Sequence, residues 1–276
     1  KDGKGKGANN EKSNPGNFKT LQSIRSTEDT VLALAKIAED MNVDRIKQIT
    51  PDSAALYLET KKDNYASQKS LDRDRKALSI ALGAVIPRLK AISEQTLTSR
   101  SYSKNQIRDI GNSMTERNSL ALKIAHDAGL RAHELLTLKR IDEGQKTSSR
   151  KWTDERFAGR EGELYLVTGK GGLTREVLIS KDLSDKLEER RLSSPKTTKD
   201  RGINYLQRYD IGGGNALSSS FTRASQRALS FSHGLHGVRH SYAQERMDEI
   251  KWRFKVSHDE ARDVVAQELG HFRGDI

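Results

Sequence analysis

The stretch His236-Gly237-Val238-Arg239-His240-Ser241-Tyr242-Ala243 opens a run of helical character that continues to Ile250. Residues three apart on a helix share a face, so His236 and Arg239 both project from its starting end. The free N–H groups of a helix start favour an anion. His236 and His240 also stand at the i,i+4 spacing of a zinc pair. No cysteine and no glutamate in H-E-x-x-H register accompanies them, so no metal is expected. An anion held there would need further partners from elsewhere in the chain.

Three short clusters are candidates. Gly129-Leu130-Arg131-Ala132-His133-Glu134-Leu135 sets an arginine just after a helix-ending glycine, with a glutamate at i+3 that can fix its direction. An ordinary surface ion pair has the same spacing. Thr168-Gly169-Lys170-Gly171-Gly172 joins two strand-like runs, Glu163 to Thr168 and Thr174 to Ile179, and reads as a β-hairpin turn. A lysine there can reach a groove or a phosphate, or simply face solvent. The turn is not a phosphate-binding P-loop, because the G-x-x-x-x-G-K-[ST] spacing and the strand-to-helix context are missing. Leu269-Gly270-His271 puts a histidine just past a helix end, a usual place for a cap or a surface residue.

Taken in order, "GLRAHELLTL", "TGKGGLTREVLI", "HGVRHSYA" and "ELGH" resemble the tyrosine recombinase family of phage integrase, Xer and Cre type. The resemblance covers Gly111 to Ile276 through these motifs. It covers about Thr20 to Lys90 only through helical character. It implies a mainly α fold with a small β-sheet and hairpin: a helical core-binding domain and a mixed α+β catalytic domain. It implies that Arg131 and Arg239 clamp the oxygens of a scissile phosphate, for which a planar guanidinium is suited. His271 would add a hydrogen bond to that phosphate, and Lys170 would protonate the leaving 5′-hydroxyl. His236 would bond the phosphate or move a proton, and Glu134 would orient the site from behind. Charge preorganised in this way needs no metal and no cofactor.

The family's covalent step is attack by a tyrosine, giving a 3′-phosphotyrosyl link. That tyrosine is expected beyond His271, past Ile276. Tyr242 lies inside the His-x-x-Arg helix, and Tyr205 and Tyr209 precede it, so none of the three fits. The chain is therefore expected to bind double-stranded DNA as a two-domain clamp without cleaving it in cis. Assembly on DNA as a homo-oligomer, dimer to tetramer, would belong to a full-length parent and be weakened here. The resemblance further implies a cytoplasmic, nucleoid-associated protein serving a mobile element. Two rivals share the residues: a type IB topoisomerase-like enzyme, and a non-catalytic DNA-binding regulator on the same scaffold. Retention of Arg131, Lys170, His236, Arg239 and His271 together argues against the regulator.

Composition agrees with an anionic partner. The chain has 276 residues, 49 Lys+Arg against 38 Asp+Glu, and a formal net charge of +11. Residues 1–114 hold 20 basic and 14 acidic side chains, and 115–276 hold 29 and 24, so both halves are basic. Zero cysteine excludes a disulfide scaffold, thiolate metal sites and a cysteine nucleophile. The best apolar run, Leu78 to Ile86, is broken by Ser79 and Gly83 and is too short to span a bilayer.

The expected organisation is a flexible basic tail over 1–19, a helical core-binding domain over 20–92, a polar linker over 93–114 and a catalytic domain over 115–276. In the first domain Ser26 is expected to cap one helix, and Thr50-Pro51 to start another. A third runs from Ser67 to Leu82, with Arg73, Arg75 and Lys76 as candidate DNA contacts or a solvated face. In the second, the spacing predicts helices over 118–128, 181–191, 218–229, 236–250 and 259–269, with a further helix starting at "LRAHELLTLK". Asp142 to Gly162 reads as a variable insertion, and Ser193 to Gly214 as loop.

Overall fold

A computed structural model describes residues 24–90 and 98–271. These residues form two compact units that part between residues 98 and 99, each with a core of its own. The expected tail over 1–19 lies outside the described residues.

The first unit is three helices, α1 (Ile24–Asp40), α2 (Pro51–Lys61) and α3 (Gln68–Leu82). Thr50 caps α2 by accepting from the Ser53 N–H, with Pro51 in the first turn where its missing N–H costs nothing. Ser67 caps α3, and Gly83 ends it in the left-handed region at φ +60°. Ile37, Leu58, Leu71 and Leu78 are fully buried between the helices. The expected cap at Ser26 is corrected: α1 starts upstream, and Ser26 lies in its first turns, its carbonyl accepting from the Thr30 hydroxyl.

The second unit runs α4 (Lys104–Asn112), α5 (Glu116–Asp127), β1 (Lys139–Arg140), β2 (Glu163–Thr168), β3 (Thr174–Ile179), α6 (Lys181–Glu188), β4 (Arg191–Asp200), β5 (Ile203–Tyr209), α7 (Gly214–Leu229), α8 (His236–Phe254) and α9 (His258–Glu268). Strands β1, β2 and β3 form one antiparallel sheet in that order, and β4 pairs β5 in a separate ribbon. The β2–β3 hairpin closes with Thr168 opposite Thr174, as its sequence predicts. The core gathers Leu122 and Ile124 of α5, Val167 and Val177 of the sheet, Phe221 of α7 and Val238 of α8.

Three segments differ from their sequence reading. Residues 104–112, placed in the linker, are helix α4. Ser103 caps it, and only Ile107, Ile110 and Gly111 are buried, too few anchors in a polar stretch to show a period. The stretch 130–139 is no α-helix. It is a 3-10 turn over Glu134–Thr137 leading into β1, with Leu130, Leu135, Leu136 and Leu138 all buried. Leucines buried on every side imitate a helical stripe without forming one. Residues 193–209, read as loop, belong to the β4–β5 ribbon. Arg201 (φ +49°) and Gly202 (φ +79°) make its tight turn, and the residues of β4 are polar and mostly exposed, so apolar alternation is lost.

A candidate phosphate site built on one buried glutamate

The Arg131 region starts where α5 stops. Gly129 turns the chain at φ +63°, and the Leu130 N–H closes back on the Ala125 carbonyl 2.9 Å away. A Cβ at Gly129 would lie 2.6 Å from the Tyr242 ring, so the chain can pass α8 only as glycine. Arg131 then faces the turn that carries Glu134. The Glu134 carboxylate has no exposed surface. Arg131 donates to it twice, from the backbone N–H and from Nη1, both at 2.8 Å.

Two further arginines reach the same carboxylate. Arg175, on the inward phase of β3, donates from Nη1 and Nη2 at 2.8 and 3.0 Å. Arg239 of α8 stands 3.6 Å away. Burial alone would raise the Glu134 pKa, but the charges of Arg175, Arg239 and Arg131, with the Arg175 hydrogen bonds, hold it far below the usual carboxylate range. Arg175 and Arg239 are themselves buried, at 1% and 4% exposure, whereas the Arg131 side chain keeps 23%. The cluster therefore opens to solvent through Arg131.

The end of α9 supplies the opposite wall. Gly270 (φ +73°) makes a Schellman turn, in which the His271 N–H meets the Ala266 carbonyl at 2.7 Å and the Gly270 N–H meets that of Gln267 at 2.9 Å. The turn lays the His271 ring against Arg131, whose Nη2 donates to Nε2 at 2.9 Å. A nitrogen that accepts carries no proton, so His271 is neutral with its hydrogen on Nδ1. Burial, with Arg239 and Arg131 nearby, holds its pKa down in agreement. Helix-end carbonyls of α9 are also used: Arg175 Nε donates to Glu268 O at 3.0 Å, and Arg239 Nη2 donates to Leu269 O. Arg239 Nη1 takes the Gly129 carbonyl at 2.6 Å.

His236 stands at the start of α8, and its ring meets that of His240 edge to face at 4.9 Å. Its pKa falls to about 4, first through burial and then through His240, Arg239 and Arg131. The hairpin comes in from the other side. A Cβ at Gly169 would stand 2.8 Å from Glu134 Oε1, so the chain beside Lys170 touches the centre of the cluster. Lys170 lies in the turn Lys170–Gly172; its side chain is outside the described residues.

Of the five catalytic residues expected from sequence, Arg131, Arg239 and His271 thus meet in the cluster around Glu134, and His236 stands at the start of the helix that carries Arg239. Arg73, Arg75 and Lys76 lie on α3 of the other unit. There Arg73 pairs with Asp74 at 2.8 Å, while Arg75 caps the Ile86 carbonyl at 3.0 Å and is half-buried. Sequence reasoning missed Arg175. Its signal was present: in "TREVLI" it shares the inward phase with Val177 and Ile179, where a lone charge needs a partner. Among the described residues no group of three or more His, Asp or Glu could hold a metal ion, and no helix is long and apolar enough to cross a membrane.

No protein-family model matches the sequence, and no curated protein does. Solved structures do. The chain is similar to XerH site-specific recombinase bound to its difH substrate, at 19% identity and TM-score 0.55 over 92% of this chain and 74% of that one. It is similar to the Tn1549 transposon integrase in complex with a circular intermediate DNA, at 12% and 0.55 over 92% and 88%. It is similar to a lambda integrase tetramer bound to a Holliday junction, at 16% and 0.57 over 91% and 70%.

Proposed function

On the premise that the chain has the tyrosine-recombinase fold, we propose that it binds duplex DNA and that its second unit holds one backbone phosphate as the scissile group of a site-specific recombinase. The observation that carries this reading is the convergence of Arg131, Arg175 and Arg239 on Glu134. One carboxylate neutralises one guanidinium, so the cluster keeps a surplus of positive charge, and its open side is the Arg131 guanidinium beside His271. A planar donor fork held from behind and open in front suits the two non-bridging oxygens of a phosphodiester, which share one negative charge.

In this reading Arg131 donates to the non-bridging oxygens, Arg239 adds its buried positive charge from behind, and neutral His271 donates to one of those oxygens from its ring. Lys170 approaches on the hairpin and gives a proton to the departing 5′-oxygen. His236 hydrogen-bonds the same phosphate or moves a proton. Positive charge fixed before the reaction stabilises the extra negative charge of the pentacoordinate state without reorganisation. We assign the nucleophile to none of the chain's own tyrosines near the site. Tyr242 is buried, donates to Glu268 Oε2 at 2.6 Å, and has its pKa pushed up by that burial. Tyr209 donates to Glu188 at 2.8 Å. Tyr205 lies against His133 with ring centres 6.5 Å apart. The chain therefore binds without cutting. Homo-oligomeric assembly on DNA belongs to the same reading.

The test is binding of labelled duplex by fluorescence anisotropy, followed by incubation with nicked suicide duplexes drawn from a random-sequence pool. Salt-dependent binding that Arg131→Ala weakens, with no covalent adduct, is the expected result. Absence of duplex binding at low salt overturns the DNA reading. A covalent adduct on one of the chain's tyrosines overturns the assignment of no nucleophile.

A further inference from the structure

The segment that leads into the second unit is laid directly over the start of α8. A Cβ on Gly237 would stand 2.3 Å from the Arg100 carbonyl oxygen and 2.7 Å from the Tyr102 ring, so only glycine admits the segment there. The Tyr102 N–H donates to the Ser241 hydroxyl at 2.7 Å, and Gln244 Nε2 donates to the Ser99 hydroxyl at 3.5 Å. Tyr102 is itself anchored: it is 3% exposed, its hydroxyl accepts from the His233 N–H at 2.6 Å, and its ring stacks on Phe231 and meets Phe221 edge-on. Arg100 is thus a fixed point of the backbone with an exposed side chain.

Helix geometry places that side chain. Gly237, Ser241 and Gln244 recur at i, i+4 and i+7 and form the stripe under residues 99–102. His236 and His240 occupy the next stripe round the helix, and Arg239 the one beyond. The two imidazoles, edge to face, therefore lie in a band with Arg100 on one flank and Arg239 on the other. The charges agree with this order, since Arg100 and Arg239 both depress the pKa values of His236 and His240, after burial. Arg239 is committed to Glu134 and two carbonyls. Arg100 has no acidic partner among the described residues.

We propose that Arg100 binds a second backbone phosphate, the neighbour of the one held by Arg131 and Arg239, and that His240 faces that second phosphate. The anion site is then a strip rather than a point, and it takes two successive phosphates of one strand. This rests on the DNA reading above and adds to it a residue from outside the four motifs. A polyanion bound at Arg131 that crosses the histidine band meets Arg100 on its far flank, a rigidly based guanidinium with no carboxylate partner among the described residues.

The experiment compares wild type, Arg100→Ala and a control, Lys123→Ala, an exposed lysine of α5 in the same unit. Duplex affinity is measured from about 50 to 200 mM salt, where each phosphate contact contributes roughly 0.9 to the slope of log K against log salt. Arg100→Ala is expected to reduce the slope by about that amount, while Lys123→Ala leaves it unchanged. Arg100→Lys restores the slope. A salt-dependent wild type with an equal slope in Arg100→Ala overturns this inference and leaves the DNA reading standing. Equal slope losses in Arg100→Ala and Lys123→Ala also overturn it, since the effect would then be one of bulk charge. A wild type that does not bind duplex overturns both.

Discussion

Replacing Glu134 by Gln keeps the shape of the side chain and removes the one carboxylate that, among the described residues, pairs with three guanidiniums. Two of these, Arg175 and Arg239, are almost wholly buried, so neither can recover its lost partner from water. Breaking a buried ion pair by removing one partner costs about 3–5 kcal/mol, because a charge is left uncompensated. The amide still accepts at its oxygen, so the lower half of that range applies. Urea unfolding followed by tryptophan fluorescence reads the right unit, because both tryptophans, Trp152 and Trp252, lie in it. Trp152 stacks under Arg156, whose guanidinium carbon is 4.6 Å from the ring centre, so its emission follows local packing. With m of roughly 2–3 kcal/mol/M, the midpoint should fall by about 1–2 M. Adding Arg175→Met removes a charge that Glu134→Gln orphans, so the double variant should lose less than the sum of the two single losses. Acid gives an independent arm. The folded Glu134 pKa is depressed, so its stabilisation is present above the ordinary carboxylate value and is lost as pH falls below it. That component of the acid profile should vanish in the variant. A midpoint shift below about 0.3 M, with an unchanged acid profile, would refute the view that one carboxylate holds the cluster.

Other outcomes follow from the same geometry. His236 should titrate near pH 4 by proton NMR, and vanadate, as a phosphate mimic, should raise that value; an unchanged titration would remove His236 from the anion site. Because the unfolded imidazole binds its proton first, His236 should also withdraw stability as pH falls from about 6.5 to 4. Gly270→Ala forces an L-residue into φ +73° with its Cβ 3.1 Å from Arg175, and should cost about 1–3 kcal/mol and displace the His271 resonances. Thr147 pairs across to Thr174 beside the Lys170 turn, held by Lys146 and Arg156 on Glu176. Glu176→Gln should therefore accelerate amide exchange at Thr147, while exchange in the α5 core stays unchanged.

The site was more legible than the scaffold between its parts. Gly129, Gly169 and Gly270 each announced a turn; those at Gly129 and Gly270 bring Arg131 and His271 together, and Gly169 sets the hairpin backbone against Glu134, so short motifs survived as signals. Glu134 could be read as an orienting partner for Arg131 from its i+3 spacing. Its burial and its second and third arginines could not, because they come from β3 and α8, distant in sequence. The β2–β3 hairpin was legible because one face is buried and alternation follows. The β4–β5 ribbon was not, because most of β4 is solvated and the pattern carries no phase. Residues 130–139 misled in the opposite direction: Leu130, Leu135, Leu136 and Leu138 are packed on several sides of a turn, and a leucine-rich run buried all round has no stripe to read. Arg75 shows a different limit. A basic side chain on a helix is legible in the sequence, but its bond to a loop carbonyl, here that of Ile86, is not.

A cluster of three guanidiniums against one carboxylate needs further compensation to remain folded, and the helix ends provide it. The C-terminal ends of α5 and α9 carry unsatisfied carbonyls and the negative pole of the helix dipole. Arg239 spans the two ends, from Gly129 O to Leu269 O, and Arg175 takes Glu268 O. These bonds satisfy the buried arginines at the back of the site. They leave Arg131, whose remaining partners are Glu134 and a neutral histidine, as the place where charge is still unbalanced. The same two glycine-ended helices that expose the carbonyls also turn the chain to present Arg131 and His271. Fold and electrostatics therefore have one cause here: the geometry that ends each helix fixes both where the cations are held and where an anion is still wanted.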